Sequence, residues 1–387
     1  MKILLKVLLI IIAVAVIIVY GGVFLCHKVF FKEDASTVPS ISGVSDGVFI
    51  LGVQAHQNHP STVEEFLPVL ADQLKRYNNI APFLWPDNKV INQSIIIEKI
   101  NGSKFWLIDS NGGIKNLSKK QALSYGFKRL AYVDGFSFFD GGLYYAVSDN
   151  DIKNILDWQK YLHLGTHDTI LFLTHEKFHN LEQSRWKVME NISNKGRNEF
   201  LDNIQARAKR DLLQKQLFKA VSETGNTQLV LEALATYEDW KNKFPGDYNN
   251  SIYFDRIEGT AYYYELISGL YIGYPDIIKN NNDIDRALSL LATRGDVYTR
   301  HGVAAEGYSV GGFSCVLLER FVNNWKEDLM NTGDATPIEM LYRHFKDMPL
   351  PPPEQQTQVE INVIAAQIEA RKDIKPRFFR FLYDILF

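Results

Sequence analysis

Residues 168–183 read DTILFLTHEKFHNLEQ, and within them His175 and His179 stand four positions apart with Glu176 beside the first. On an α-helix that spacing puts both imidazoles on one face, where they can meet at a single metal ion. Glu176 then lies next to the ion as a base that takes a proton from metal-bound water, not as a ligand. The chemistry is hydrolysis by activated water. Asp168 is suited to cap the helix, Ile170, Leu171, Phe178 and Leu181 recur near helical spacing, and neither Gly nor Pro interrupts. Lys177 fills a middle position that the stricter form of the pattern leaves uncharged.

A tetrahedral catalytic metal needs a third protein ligand and one open position for water. Glu258, in RIEGTAYYYE, is a candidate on a second helical pattern. Gly259, Thr260 and Ala261 follow it, and their small side chains would let that helix approach the histidine helix closely. Spacing alone leaves a second reading open, because Asp255 and Glu258 are three apart at an expected helix start, as in a capping box.

From residue 175 onward the chain resembles the gluzincin group of zinc peptidases, which includes the membrane alanyl-aminopeptidase type. Their signature pairs His-Glu-x-x-His with a downstream Glu-Gly-x-Ala, matched here by Glu258, Gly259 and Ala261. EGYSVGGFSCVLLERFVNNWKEDL is similar to the Tyr-x-x-Gly and Leu-rich helix that come next, with Tyr308 and Gly311 as the matches. The three pieces span residues 168–328. The resemblance implies one Zn2+ held by His175, His179 and Glu258, with water in the fourth position. It implies Glu176 as general base and acid, Tyr308 as hydrogen-bond donor to the oxyanion, and a peptide or protein as substrate.

The chain departs from that group in two ways. Glu258 follows His179 by 258 − 179 = 79 positions, far more than in the aminopeptidases, so an inserted helical hairpin within 180–257 must fold away and can cover the cleft. The Gly-Ala-Met-Glu-Asn strand that holds a free amine is missing. DGGLYY at 140–145 sits in a comparable place, with glycines that admit a substrate backbone and no glutamate to mark amine recognition.

Other residues were weighed against the same chemistry. GYSVG at 307–311 fits Gly-x-Ser-x-Gly, which would make Ser309 a nucleophile, but RHGVAAE before it is a poor strand and only His344 follows. His301 suits a loop or the cleft wall, and His56, His59, His163 and His167 show no spacing for a second metal site. Tyr262, one turn beyond Glu258, is expected near the metal. Glu182 and Glu265 are candidates to orient the histidines.

These residues must be positioned by a chain of 387 residues, 46% hydrophobic and 13% aromatic, which can bury a sizeable core. A formal charge of −3, with no run of Lys and Arg, argues against a nucleic-acid partner. Val7–Cys26 carries no charge and is long enough to cross a lipid bilayer as a helix. Lys2 and Lys6 precede it and Lys28 and Lys32 follow it, so only the added charge of the amino terminus tips the count toward a cytoplasmic N-terminus, which puts the remainder outside the cytoplasm. The run is longer than a cleavable signal sequence requires, and Leu25 is unsuited to a lipoprotein Cys26. With Cys26 at the membrane edge and Cys315 the only other cysteine, no disulfide is expected.

The expected organisation is an anchor at 1–32, a small polar spacer at 33–46, a mixed α/β part at 47–150, a helical zinc-binding part at 151–330 and a helical C-terminal segment at 331–387. Strands are expected in GVFILGVQA, SIIIEKI, KFWLIDS and RLAYVDGFSFFDGGLYYAVS, around the helix TVEEFLPVLADQLKRY. PLPPPEQQ reads as a stiff connection before a last helix, EINVIAAQIEARKDI. The fold class is α+β, with a mixed α/β subdomain followed by a mainly helical gluzincin-like one. The competing functional class is a peptidase-fold protein that grips peptides or a membrane partner without cleaving them.

Overall fold

The computed structural model describes residues 60–373 apart from 101–103, 130–134, 151, 153–165, 167, 187–202, 294–301 and 334. The expected anchor, the spacer, GVFILGVQA, the tail KPRFFRFLYDILF and His56, His59, His163, His167 and His301 therefore lie outside the described residues. No helix among the described residues is long and apolar enough to cross a membrane.

The described residues all belong to one compact unit, which is mixed α and β. Helix α1 (Val63–Leu84) starts where Thr62 accepts a hydrogen bond from the Glu65 N–H, with Glu64 and Glu65 in the first turn. Its buried Val63, Phe66, Leu67, Leu70, Leu74, Tyr77 and Ala81 recur at three and four residues. Strands β1 (Ser94–Lys99), β2 (Lys104–Ile108), β3 (Ile114–Leu117), β4 (Gly135–Phe139) and β5 (Gly142–Val147) form a sheet in the order β3-β2-β1-β5-β4. Only β1 and β5 run parallel, with Ile96 opposite Tyr144. Ile95, Ile96 and Ile97 are all buried because β1 is covered on both faces. Helix α2 (Lys119–Leu123) and Phe127 cover one face, packing Ala122 and Phe127 onto Ile96, Phe105 and Tyr144.

Helix α3 (Asp168–Lys177) carries the His-Glu pair and packs on β5, then continues through a π-helical turn, Phe178–Glu182, and a 3-10 turn, Gln183–Arg185. Asp168 is the first residue of α3 rather than the residue before it. Next come α4 (Ile204–Ser222) and α5 (Thr227–Lys243), the long α6 (Pro245–Gly273), and α7 (Asn281–Ala292). Helix α8 (Val303–Phe321), α9 (Trp325–Asn331), α10 (Pro337–His344) and α11 (Gln358–Asp373) are the last of the described elements. Buried Cys315 is part of the core on α8.

Helices α6 and α8 cross with backbone against backbone. A Cβ at Gly311 would sit 1.9 Å from the Asp255 carbonyl oxygen, and one at Gly259 would sit 2.4 Å from the Gly311 Cα. Gly307 likewise lies against Phe254. Gly259 serves the contact with α8, while Thr260 reaches back to the histidine segment through Gln183.

The described part of the insertion, α4 and α5, packs on α6, α7, α8, α10 and α11, bracing the crossing. Arg207 and Arg210 of α4 are fully buried. Arg207 pairs with Asp247 and Glu306, while Arg210 pairs with Asp255 at 3.0 Å and Glu306 at 3.4 Å and lies 4.7 Å from the Trp240 ring. Losing one member would strand a partner charge in the core, so the cluster holds α4, α6 and α8 in one arrangement. Gly311→Ala is expected to destabilise the protein by at least the roughly 1–3 kcal/mol of an overpacked core, read from urea unfolding, because backbone rather than a flexible side chain must move.

Candidate metal centre

His175 and His179 project from α3 and its π-helical turn toward α6. Phe178 between them is buried, stacked on Tyr264 with ring centroids at 4.5 Å and edge-on to Trp85 at 5.0 Å. This aromatic packing holds the turn against α6. Glu258 lies in the middle of α6, not near a helix start, and Asp255 pairs with Arg210, so the capping-box reading is excluded.

The three sequence candidates converge. His175 Nε2 is 3.0 Å from His179 Nε2 and 3.3 Å from Glu258 Oε2, and His179 Nε2 is 3.4 Å from the same oxygen. Four tetrahedral ligands at about 2.0–2.2 Å from a divalent ion stand about 3.3–3.6 Å apart, close to the separations of this set. His175 and Glu258 are buried and His179 is half-buried.

Hydrogen-bond direction points the same way. Thr260 Oγ1 donates to the Arg256 carbonyl at 2.6 Å, so it accepts from Gln183 Nε2, also at 2.6 Å; Nε2 donates as well to the Ile257 carbonyl at 2.7 Å. Backbone carbonyls cannot donate, so the Gln183 amide has one orientation and its Oε1 must accept from His179 Nδ1, 2.6 Å away. Across the site His175 Nδ1 donates to Glu265 Oε2 at 3.0 Å. With Nδ1 protonated in both rings, neutral histidines turn bare Nε2 lone pairs toward each other and toward a carboxylate oxygen. Such a focus needs a positive charge, and these three residues can hold a metal ion.

A proton on His175 can also supply that charge. Burial opposes the charged imidazole, but hydrogen bonds to Glu258 and Glu265 outweigh burial and hold its pKa up at about 9. Burial also raises the Glu258 carboxyl, and His175, His179 and Tyr308 together outweigh it, keeping Glu258 well below the usual carboxylate range.

Glu176 is half-buried, on the same turn as His175. Tyr308 of α8 stacks on the His175 ring at 5.5 Å and hydrogen-bonds Glu258, while Tyr262 stands edge-on to Tyr308 at 5.8 Å as an outer layer. Of the two expected orienting carboxylates, Glu265 takes the role. Glu182 instead binds the Lys89 N–H and Arg185. Gln183 was missed by sequence reasoning, although its position four residues after His179 is the available signal. Ser309 is fully buried within α8, which excludes the nucleophile elbow. In DGGLYY, β5 is paired on both sides, and a Cβ at Gly142 would sit 1.8 Å from the Ser94 carbonyl oxygen; the glycine serves the sheet rather than a ligand. The strand without an outer neighbour on this side, among the described residues, is β4.

Compared with known proteins, the chain matches no protein-family model, no curated protein and no solved structure.

Gln183→Leu is expected to weaken metal binding about 10- to 100-fold in a chelator competition, with helix content unchanged, because His179 loses the acceptor that fixes its tautomer. Metal and proton compete for His175, which is charged below its pKa of about 9. Metal affinity should therefore rise with pH up to about 9 and then level. Calorimetry at pH 7 in buffers of different ionisation enthalpy should show about one proton released per ion bound.

Proposed function

We propose that the protein is a zinc-dependent peptidase, related in its site to the gluzincins and held at a membrane by Val7–Cys26 with its folded part outside the cytoplasm. The observation that carries the reading is the convergence of His175, His179 and Glu258 within 3.4 Å of one another beside Glu176. Two nitrogens and one carboxylate oxygen suit zinc. The uncharged N-terminal run supports the anchor.

His175 Nε2, His179 Nε2 and Glu258 Oε2 would hold the zinc, which when bound supplies Lewis-acid polarisation. Glu176 takes a proton from the attacking water onto its carboxylate and returns it to the leaving nitrogen. The Tyr308 hydroxyl, resting on Glu258, turns to donate to the substrate oxygen that gains negative charge. Glu265 and Gln183 keep both Nδ1 protons in place and thereby keep both Nε2 atoms available. Among the described residues β4 is the outermost strand on this side of the sheet, and an extended peptide would add there.

Glu176→Gln is expected to keep about one zinc per chain by elemental mass spectrometry and to lose at least the roughly 10²–10⁴-fold that general acid–base catalysis contributes, measured on fluorescence-quenched peptides. Retention of wild-type turnover in that variant would remove the mechanism. Peptide retention without cleavage by the zinc-loaded wild type would establish a binding protein instead.

A further inference from the structure

The segment that carries His179 and Gln183 is held by two separate parts of the chain. One is α6, where Gln183 reaches the Ile257 carbonyl and the Thr260 hydroxyl and Phe178 stacks on Tyr264. The other is the short connection after α1, residues 85–89. Trp85, 2% exposed, stands edge-on to Phe178 with ring centroids at 5.0 Å and stacks on Trp186 at 5.7 Å. Its indole thus touches the first residue of the π-helical turn and the residue that follows the 3-10 turn. Phe178 and Trp186 also meet each other edge-on at 5.7 Å. His179 and Gln183 lie between these two anchors.

Two polar contacts join the same partners. The Lys89 N–H donates to Glu182 at 3.2 Å, and Arg185 donates to the Asp87 carbonyl at 3.4 Å. The connection is stiff, because Pro86 has a fixed φ and Asp87 adopts φ 48°, a left-handed conformation uncommon for a residue with a side chain. Trp85 is itself secured from α9, where its indole N–H donates to Met330 Sδ at 3.2 Å and Trp325 stands edge-on at 5.5 Å.

A π-helical turn depends on such support. The Gln183 N–H donates to the Phe178 carbonyl five residues back, a pattern that is rare in helices, and tertiary packing rather than local propensity decides whether it persists. Were the turn to tighten to four-residue bonding, the side chains after it would rotate relative to α3, and Gln183 would leave the Ile257 carbonyl and His179 Nδ1.

We infer that Trp85 is a positioning residue for the metal centre: by closing Phe178 and Trp186 into one aromatic cluster, it holds the π-helical turn in the register that sets Gln183 against His179. It acts through Gln183 rather than by contact with the metal. The inference rests on the metal-binding part of the peptidase reading and not on cleavage.

The test uses the full chain in detergent micelles, with zinc affinity read by chelator competition. Trp85→Leu should weaken zinc binding about tenfold, and Trp85→Phe, which keeps a ring for Phe178 to meet, should recover most of the loss. In a double-mutant cycle Trp85→Leu should add less than about threefold to the loss caused by Gln183→Leu, because both act on one contact. With Glu265→Ala, which acts at His175, the two losses should multiply. Amide hydrogen exchange over 178–186 should quicken about tenfold in Trp85→Leu while α5 is unaffected. Should Trp85→Leu fail to fold, Trp85→Met takes its place. Unchanged zinc affinity with a lowered urea midpoint would make Trp85 a core residue only and overturn the inference, as would losses that multiply with Gln183→Leu. Wild-type protein that binds no zinc would remove the inference together with the metal centre. Wild-type protein that binds zinc without cleaving peptides would remove the peptidase reading and leave the Trp85 role standing.

Discussion

The crossing of α6 and α8 is the constraint on which the rest of the site depends. Two helices can bring backbone against backbone only where both lack side chains, and Gly259 and Gly311 meet there. That contact places Glu258, the residue before Gly259, and Tyr308, one turn before Gly311, on opposite sides of one seam. Tyr308 can then stack on His175 and bond Glu258 at once. Any side chain at the seam would separate an expected ligand from its expected neighbour.

Close crossing by itself allows sliding, and the buried charges of α4 oppose it. Arg210 binds Asp255 on α6 and Glu306 on α8, while Arg207 binds Asp247 on α6 and Glu306. Each arginine thus spans both helices from one side, and the long insertion between His179 and Glu258 acts as a brace. Glu306 also accepts from the Gly302 N–H at 3.0 Å, so the same carboxylate caps the start of α8. On the other side, Gln183 reaches from the histidine segment to the carbonyl of Ile257 and the hydroxyl of Thr260, the residues flanking Glu258 and Gly259.

The site therefore separates orientation from charge. Backbone carbonyls of α6 set the direction of the Gln183 amide, which sets the tautomer of His179, and Glu265 does the same for His175. None of these partners adds to the three acceptor atoms at the centre. Lys177 donates instead to the Phe139 and Asp140 carbonyls, so its charge serves the sheet rather than the metal set.

The sequence by itself determined the local features. Four-residue spacing places His175 and His179 together on any helix, and three- and four-residue periodicity identifies α1 and most of the later helices, because helical geometry repeats over a few residues. It located most of the strands for the same reason, through β-branched and aromatic runs. It did not place Glu258, whose capping-box alternative disappeared only when α6 was seen to begin at Pro245. Nor did it show that Gly259 faces α8, that Gln183 is part of the site, or that Lys177 bonds the turn between β4 and β5. Those are contacts across tens of residues, decided by which buried donor finds which carbonyl and where two backbones can touch. Such choices leave no periodic trace along a chain, and only the tertiary structure settles them.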